Sequence, residues 1–151
     1  MKVVRFICRI LLGLVFIFSG FVKGIDPMGS AIKFGEYFSA FHLGFLGNFS
    51  LLFSVLLASA EFIIGIALLL GLRMKIASWA VFLFMSFFTL LTLILALTNP
   101  VSDCGCFGDA IKLTNWQTFL KNVVLMVPVM VVFLERNKFS VRYKPLGEWV
   151  T

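Results

Sequence analysis

The chain has 151 residues, of which 61% are hydrophobic and only 13% are charged, with a mean hydropathy of +1.07 and a net charge of +6. A soluble domain is about half apolar and about a quarter charged, so this composition excludes a globular protein in water and predicts a membrane protein. The 13 basic residues stand in small groups between apolar runs, which argues against a nucleic-acid-binding patch and is typical of membrane topology signals.

The first apolar run predicts a transmembrane helix over about 3–22, with Lys2, Arg5 and Arg9 at its start. The uncharged part, 10–22, is too short to span a bilayer, which takes about 20 residues. Arg5 and Arg9 share a helix face, from which their long side chains can reach the headgroups. A cleaved signal peptide is the alternative, but the run lacks a small-x-small cleavage site, and we expect the helix to be retained.

An aromatic segment follows, and Asp26-Pro27 marks a turn at its start. Aromatic residues then recur at the spacings of one helix face: Phe34, Tyr37, Phe38, Phe41, Phe45 and Phe49. The pattern predicts a short amphipathic helix at the membrane interface. A lid packed on the bundle is favoured over a cofactor site, because aromatic stripes usually mean packing.

The remaining apolar runs predict three further transmembrane helices, at about 50–72, 76–98 and 116–134. Asn99-Pro100 ends the third of them, and Thr114 or Asn115 can cap the fourth. The whole chain, 1–151, is therefore expected to form a single all-α membrane domain. Its predicted fold is a bundle of four transmembrane helices with a short amphipathic segment after the first.

The distribution of basic residues predicts the orientation of this bundle. Nine of the 13 fall on one side of the four spans: Lys2, Arg5, Arg9, Arg73, Lys75, Arg136, Lys138, Arg142 and Lys144. The other four fall on the opposite side: Lys23, Lys33, Lys112 and Lys121. Because basic residues accumulate on the cytoplasmic side, both termini are predicted to be cytoplasmic. The aromatic segment and the loop between the third and fourth spans are then extracytoplasmic together.

That loop carries the candidate catalytic residues, Cys104 and Cys106, which are separated only by Gly105. Glycine permits the tight backbone that brings neighbouring sulfurs together, and a disulfide across one residue closes a strained ring. Strained, exposed disulfides are the ones that react readily. The C-x-C spacing therefore favours a redox pair that undergoes thiol–disulfide exchange with a partner protein. The supporting loop residues are Asp103, Gly105, Phe107, Gly108 and Asp109.

Two other interpretations of the loop stay open. Cysteine pairs outside the cytoplasm are commonly structural, so a permanent bridge or two idle thiols is one alternative. Two thiolates also suit copper or zinc, but a metal site would need further ligands from His42, Asp103, Asp109 or another chain. Cys8 lies near the opposite end of the first helix and is interpreted as a small apolar residue.

Glu61 interrupts the second span about ten residues from either end, roughly 15 Å deep at about 1.5 Å per residue. An ionisable group at this depth is a functional hypothesis by default. We expect a structural ion pair between Arg9 and Glu61, because buried membrane charges usually have partners. A protonated Glu61 and a proton or quinone site are the alternatives, since burial disfavours a charged carboxylate.

These motifs resemble those of two related membrane families. The first two helices are similar to those of the DoxX family at 9–13, 18–23, Asp26-Pro27, Glu61, Gly65, 70–71 and Arg73. The segment 103–109, with Trp116 entering the last helix, resembles the MauE branch of the same four-helix group. The likeness runs over nearly the whole chain.

The resemblance implies a small four-helix bundle, loosely similar to the core of vitamin K epoxide reductase, with quinone as the candidate cofactor. DoxX relatives are associated with quinone-linked thiosulfate oxidation, and MauE with maturation of methylamine dehydrogenase, where periplasmic disulfides form. The resemblance carries over Cys104 and Cys106 as the candidate redox pair, and Arg9, Lys23 and Glu61 as intramembrane polar positions of the family. The reductase type uses a C-x-x-C pair and a second shuttle pair, whereas this chain has one outside pair spaced C-x-C.

The predicted function is therefore that of a multi-pass protein of the bacterial inner membrane. It would support extracytoplasmic thiol–disulfide chemistry, or the maturation of a partner protein, with a link to quinone. The alternatives are a non-enzymatic membrane subunit or assembly factor with a structural loop, and a metal-handling membrane protein. The expected partners are the lipid bilayer, an extracytoplasmic thioredoxin-like or substrate protein, and a membrane complex or further copies of the chain, but not nucleic acid. The sequence leaves open whether the chain is itself an oxidoreductase.

Overall fold

The computed structural model describes residues 2–99 and 113–138, and residue 1, 100–112 and 139–151 lie outside the described residues. Five α-helices are present in the described part: α1 Lys2–Ile25, α2 Pro27–Ala40, α3 Ser50–Leu70, α4 Met74–Thr98 and α5 Asn115–Leu134. Short 3₁₀ helices occupy Gly44–Phe49 and Arg136–Lys138.

Four segments are long and apolar enough to cross a membrane: Lys2–Ile25, Gly44–Leu70, Met74–Thr98 and Asn115–Leu134. Only about a third or less of each span is buried inside the bundle, so most of their apolar surface faces outward. Lipid is the solvent that such a surface requires. The predicted all-α, four-helix membrane fold is confirmed.

The two ends of the bundle are marked by polar contacts between helices. At one end, Arg5 Nε lies 2.9 Å from Glu135 Oε2, and Arg5 also donates to the Lys138 carbonyl at 3.2 Å. At the other end, Asn115 Nδ2 donates to the Leu95 carbonyl at 3.3 Å. The start of α1 and the end of α5 therefore share one end of the bundle, as the prediction requires. Which end faces the cytoplasm stays a prediction.

The contact between α1 and α3 depends on glycines that let two backbones approach closely. A Cβ added at Gly20 would lie 2.7 Å from the Phe62 backbone nitrogen, and one added at Gly65 would lie 2.7 Å from the Ile17 backbone nitrogen. Helices in lipid gain no hydrophobic energy from meeting, so close van der Waals packing at small residues holds them together. This crossing fixes the register between the two helices that carry the buried charges.

The helix α2 lies over the bundle at the end opposite Arg5. Asp26 caps it by accepting a hydrogen bond from Gly29 N at 2.9 Å, and Ser54 Oγ donates to the Pro27 carbonyl at 3.0 Å. Tyr37 is buried against Leu95 of α4. The prediction that this segment packs on the bundle is confirmed.

The predicted aromatic helix is interrupted, however, at His42. This residue has a φ of 58°, and Leu43 N donates to the Phe38 carbonyl at 2.6 Å, which is the hydrogen bond that closes a helix C-terminus around a left-handed residue. Phe45 and Phe49 therefore belong to a separate 3₁₀ helix, and the prediction of one continuous stripe was wrong on this point.

We expect Thr114→Ala to lower the free energy of unfolding by about 1 kcal/mol, the usual cost of losing an N-cap. Gln117 N donates to Thr114 Oγ1 at 3.3 Å, and Thr114 N donates to Gln117 Oε1 at 3.1 Å, so the two residues form a capping box. The measurement is SDS-induced unfolding of purified protein in mixed micelles. Thr98→Ala is the control, because Thr98 Oγ1 only donates to a carbonyl of its own helix.

Candidate functional site: a buried ion pair beside a small cavity

A salt bridge between Lys23 of α1 and Glu61 of α3 lies inside the bundle. Lys23 Nζ is 2.7 Å from Glu61 Oε1 and 2.8 Å from Oε2, so the ammonium bridges both carboxylate oxygens. The side chains are only 5% and 6% exposed. Taking two charges out of water is costly, and such a pair persists only with good geometry and further hydrogen bonds.

Ser19 supplies those further hydrogen bonds. Its hydroxyl donates to Glu61 Oε2 at 2.9 Å and accepts from Lys23 Nζ at 3.0 Å. An ammonium has three N–H groups, and those of Lys23 donate to both carboxylate oxygens of Glu61 and to the hydroxyl oxygen of Ser19. The cation is therefore fully paired without water.

The local sequence explains why these groups meet. Ser19 and Lys23 stand four residues apart on α1 and so share one helix face. Gly20 lies between them, and its missing side chain allows α3 to approach with Glu61. The helix then continues to Ile25, beyond the predicted end at about 22, so Lys23 lies within α1 rather than in a loop.

The predicted pair between Arg9 and Glu61 is wrong. A Cβ added at Gly71 would lie 2.8 Å from Arg9 Nη1, which places the guanidinium at the end of α3. Gly71 is ten residues from Glu61, or about 15 Å along the helix. Lys23 is the partner of Glu61, and Arg9 lies near the bundle end that Arg5 marks.

A small cavity of about 40 Å³, with a mostly apolar lining, lies against the ion pair, between α1, α3, α4 and α5. Ser19, Lys23 and Glu61 line one side of it, and Lys121 and Asn122 of α5 line another. Asn122 Nδ2 donates to Thr92 Oγ1 at 3.2 Å and to the Phe88 carbonyl at 3.4 Å, so its side chain is fixed by α4. The other lining residues are apolar.

A second, larger space lies on the other side of Lys23. This groove has a volume of about 470 Å³ and runs between α1, the start of α2 and α3. Lys23 and Ser59 are its hydrogen-bonding side chains, and its other lining residues are glycine, alanine, proline or large apolar residues, among them Phe21 and Phe62. Its volume lies in the range of small-ligand sites, about 300–1,000 Å³.

The predicted catalytic cysteines lie outside the described residues. The same holds for the supporting loop residues: Asp103, Gly105, Phe107, Gly108 and Asp109. The chain on either side of them is described, and the two flanks are joined, because Asn115 Nδ2 also donates to Asn99 Oδ1 at 3.3 Å. The assignment of Cys104 and Cys106 as a redox pair stays a prediction.

Cys8 is half-buried and packs against the apolar core of the bundle. It lies in the half of α1 that contains Arg5 and Arg9, as expected for an apolar residue without a role in the loop. Within residues 2–99 and 113–138, no group of three or more His, Cys, Asp or Glu side chains could hold a metal ion.

Sequence reasoning missed Ser19 and Asn122 as members of the site. Ser19 could have been found from its spacing to Lys23, had the helix been extended to that residue. Asn122 is a polar residue about two turns into a span, and such a residue in lipid needs an internal partner. Its pairing with Thr92 depends on how α4 and α5 pack, which a single sequence does not reveal.

The fold and the buried pair define a small integral membrane protein of four transmembrane helices with a charged, polar centre. Residues 1–135 match the family described as "Methylamine utilisation protein MauE". The chain belongs to the MauE family, which confirms that part of the predicted resemblance; the DoxX part stays a prediction.

One curated relative is Protein TlpB of Flavobacterium psychrophilum, which is 29% identical over 133 residues. The match covers 86% of this chain but only 36% of that protein, so the chain spans about a third of the relative's length. No solved structure matches the chain.

Proposed function

We propose that this MauE-family protein supports thiol–disulfide chemistry on the extracytoplasmic side of the membrane, in the maturation of a partner protein. The observation that carries the proposal is that the flanks of the cysteine loop meet, through Asn115 and Asn99, at the end of the bundle opposite Arg5. The positive-inside distribution supports an extracytoplasmic position for that end. Disulfides persist on that side, and C-x-C cysteines there can exchange.

The reaction needs only two thiols and a partner disulfide. The thiolate of one cysteine attacks a sulfur of the partner's disulfide, a mixed disulfide forms, and the partner's second sulfur leaves as a thiolate. The other cysteine then attacks the mixed disulfide, so that a bond between Cys104 and Cys106 forms and the partner leaves reduced. Run in reverse, the same two steps oxidise the partner.

In the direction in which Cys104 and Cys106 oxidise the partner and are left as two thiols, a quinone is the cofactor that we propose for reoxidising them. The 40 Å³ cavity beside Glu61 is too small for a quinone ring, whereas the 470 Å³ groove beside Lys23 is large enough. The exposed apolar side chains of Phe21 and Ile25 line this groove, so a lipid-dissolved molecule reaches it from the bilayer. Bound there, a quinone would supply a two-electron acceptor.

The test is the redox state of Cys104 and Cys106 in intact cells. Cells are acid-quenched and free thiols are alkylated with a heavy maleimide, in a Cys8→Ser background so that only the loop cysteines are labelled. We expect a mixture of oxidised and reduced forms, and Cys106→Ser should trap a mixed disulfide with the partner. Cys8→Ser alone should keep full activity. A pair that is wholly oxidised or wholly reduced, with no trapped partner, would contradict the proposal.

A non-enzymatic membrane subunit or assembly factor is the second candidate. It is favoured by the closed hydrogen bonding of Lys23, Glu61 and Ser19, which is also what a purely structural pair requires. Retained function in the double variant Cys104→Ser/Cys106→Ser would support this candidate. Loss of function together with copurifying copper or zinc would instead support metal handling.

A further inference from the structure

We infer that the bundle carries a binding site for an anionic phospholipid on its outer face, at the end that Arg5 marks. Arg136 and Lys75 bind the lipid phosphate, and an acyl chain lies along α4. The inference goes beyond thiol–disulfide exchange and does not depend on Cys104 or Cys106. Its basis is a cation that aromatic side chains hold at the edge of an exposed apolar row.

The guanidinium of Arg136 is held at the end of α5 by two aromatic rings. Its Cζ lies 4.4 Å from the ring centroid of Phe133 and 5.8 Å from that of Trp79, and the two rings pack edge to face at 4.9 Å. Arg136 Nη1 donates to the Phe133 carbonyl at 2.7 Å, which is the one hydrogen bond of this guanidinium among residues 2–99 and 113–138. A guanidinium has five N–H donors, so four remain for a ligand. Its planar fork suits the oxygens of a phosphate.

A second cation lies on the same face of α4 as Trp79. Lys75 precedes Trp79 by four residues, or about one helix turn, so both side chains leave α4 on one face. Lys75 is exposed, and within the described part of the chain it forms no salt bridge. Trp79 is 47% exposed, and tryptophan rings accumulate at the level of the lipid headgroups. The face therefore combines two cations with an indole at headgroup level.

An exposed apolar row continues from Trp79 along α4 toward the middle of the bilayer. Leu83 and Phe87 follow Trp79 at spacings of four residues and are 59% and 63% exposed. From Trp79 to Phe87 the row is about 12 Å long at about 1.5 Å per residue, close to the roughly 15 Å of hydrocarbon in one leaflet. An acyl chain attached to the bound headgroup can therefore lie along this row.

The charge balance at this end favours an anion. Glu135 is the one carboxylate there among the described residues, and it already lies 2.9 Å from Arg5 and 3.9 Å from Lys138. Of the nine basic residues that the sequence places at this end, Arg142 and Lys144 lie outside the described part, which leaves seven. A phospholipid fits both features, because its phosphate matches the cations and its acyl chain matches the apolar row. An acidic protein surface would match only the cations.

The test is fluorescence quenching of Trp79 by brominated lipids. The chain has three tryptophans, at 79, 116 and 149, so the full-length variant Trp116→Phe/Trp149→Phe reports from Trp79 alone. It is reconstituted in phosphatidylcholine vesicles that contain an equal share of either brominated phosphatidylglycerol or brominated phosphatidylcholine. We expect phosphatidylglycerol to bind beside Trp79 with at least about fivefold higher affinity, since each cation near the surface contributes about that factor.

Single substitutions then separate a local site from a diffuse positive surface. In the same reporter background, Arg136→Gln and Lys75→Gln should each lower the preference about fivefold, because each removes one of the two cations. Lys138→Gln is the matched control: it removes the same charge from the 3₁₀ helix that contains Arg136, but the Lys138 side chain lies near Glu135. We expect the control to keep most of the preference. Equal losses in all three variants would overturn the site.

A second reporter leaves every cation in place and so stays informative if Arg136→Gln does not fold. In Trp79→Phe/Trp149→Phe the fluorescence comes from Trp116, which is 49% exposed and lies at the opposite end of the bundle. We expect the two brominated lipids to quench Trp116 equally. An absence of preference at Trp79, or the same preference at both tryptophans, would overturn the inference.

Discussion

Glu61→Leu is expected to lower the free energy of unfolding by about 3–5 kcal/mol, because it leaves the Lys23 ammonium buried without its carboxylate. Ser19 would remain as a partner, but a single hydroxyl cannot offset the desolvation of a full charge. The measurement is SDS-induced unfolding of purified protein in mixed micelles, monitored by circular dichroism. Yield in the membrane fraction should fall in parallel.

The double variant Lys23→Met/Glu61→Leu is the matched control. Replacing a buried pair by apolar side chains of similar volume is often neutral, so the double variant should regain most of the stability that either single change loses. Double-mutant analysis then gives the coupling between the two residues directly. A double variant no more stable than Glu61→Leu would mean that packing, and not the buried charge, determines the loss.

Gly20→Val is expected to destabilise the protein by about 3 kcal/mol or more. The added Cβ would lie 2.7 Å from the Phe62 nitrogen and 2.8 Å from the Ala58 carbonyl oxygen, and both atoms are backbone. Overpacking costs about 1–3 kcal/mol when side chains can move aside, and a helix backbone cannot do so. The same unfolding measurement would detect the change.

Gly24→Val is the control for this prediction. Gly24 lies on the same helix, yet nothing is within 4 Å of a Cβ added there. Both substitutions change helix propensity alike, so the difference between them isolates the contact of α1 with α3. Equal losses in the two variants would contradict close packing at Gly20.

The four spans could be predicted from the sequence because their apolar runs are long. The ends of α3, α4 and α5 fall within two residues of the predicted 50–72, 76–98 and 116–134. Hydropathy fixes such elements without tertiary information, since bilayer thickness sets their length. The break after Ala40 was missed because it depends on a left-handed His42, and histidine is a less frequent residue than glycine in that position.

The partner of Glu61 could not be predicted for a physical reason. The predicted first span ends at about 22 and leaves Lys23 at its boundary, where a lysine usually reaches the headgroups. In the folded protein α2 covers the end of α1, and α3 continues for about two turns beyond Lys23, from Ala58 back to Ser50. Tertiary packing therefore buries a residue that hydropathy places at the surface.

The Lys23–Glu61 contact also sets an order of events during biogenesis. When α1 first enters the bilayer, Glu61 has not yet been synthesised, so Lys23 must keep its ammonium at the lipid headgroups. Only after α3 has been inserted can Lys23 and Glu61 form their salt bridge, and the paired charges can then be buried in the hydrocarbon region of the bilayer. Nascent chains truncated before α3 would therefore carry the Lys23 cation without its carboxylate partner.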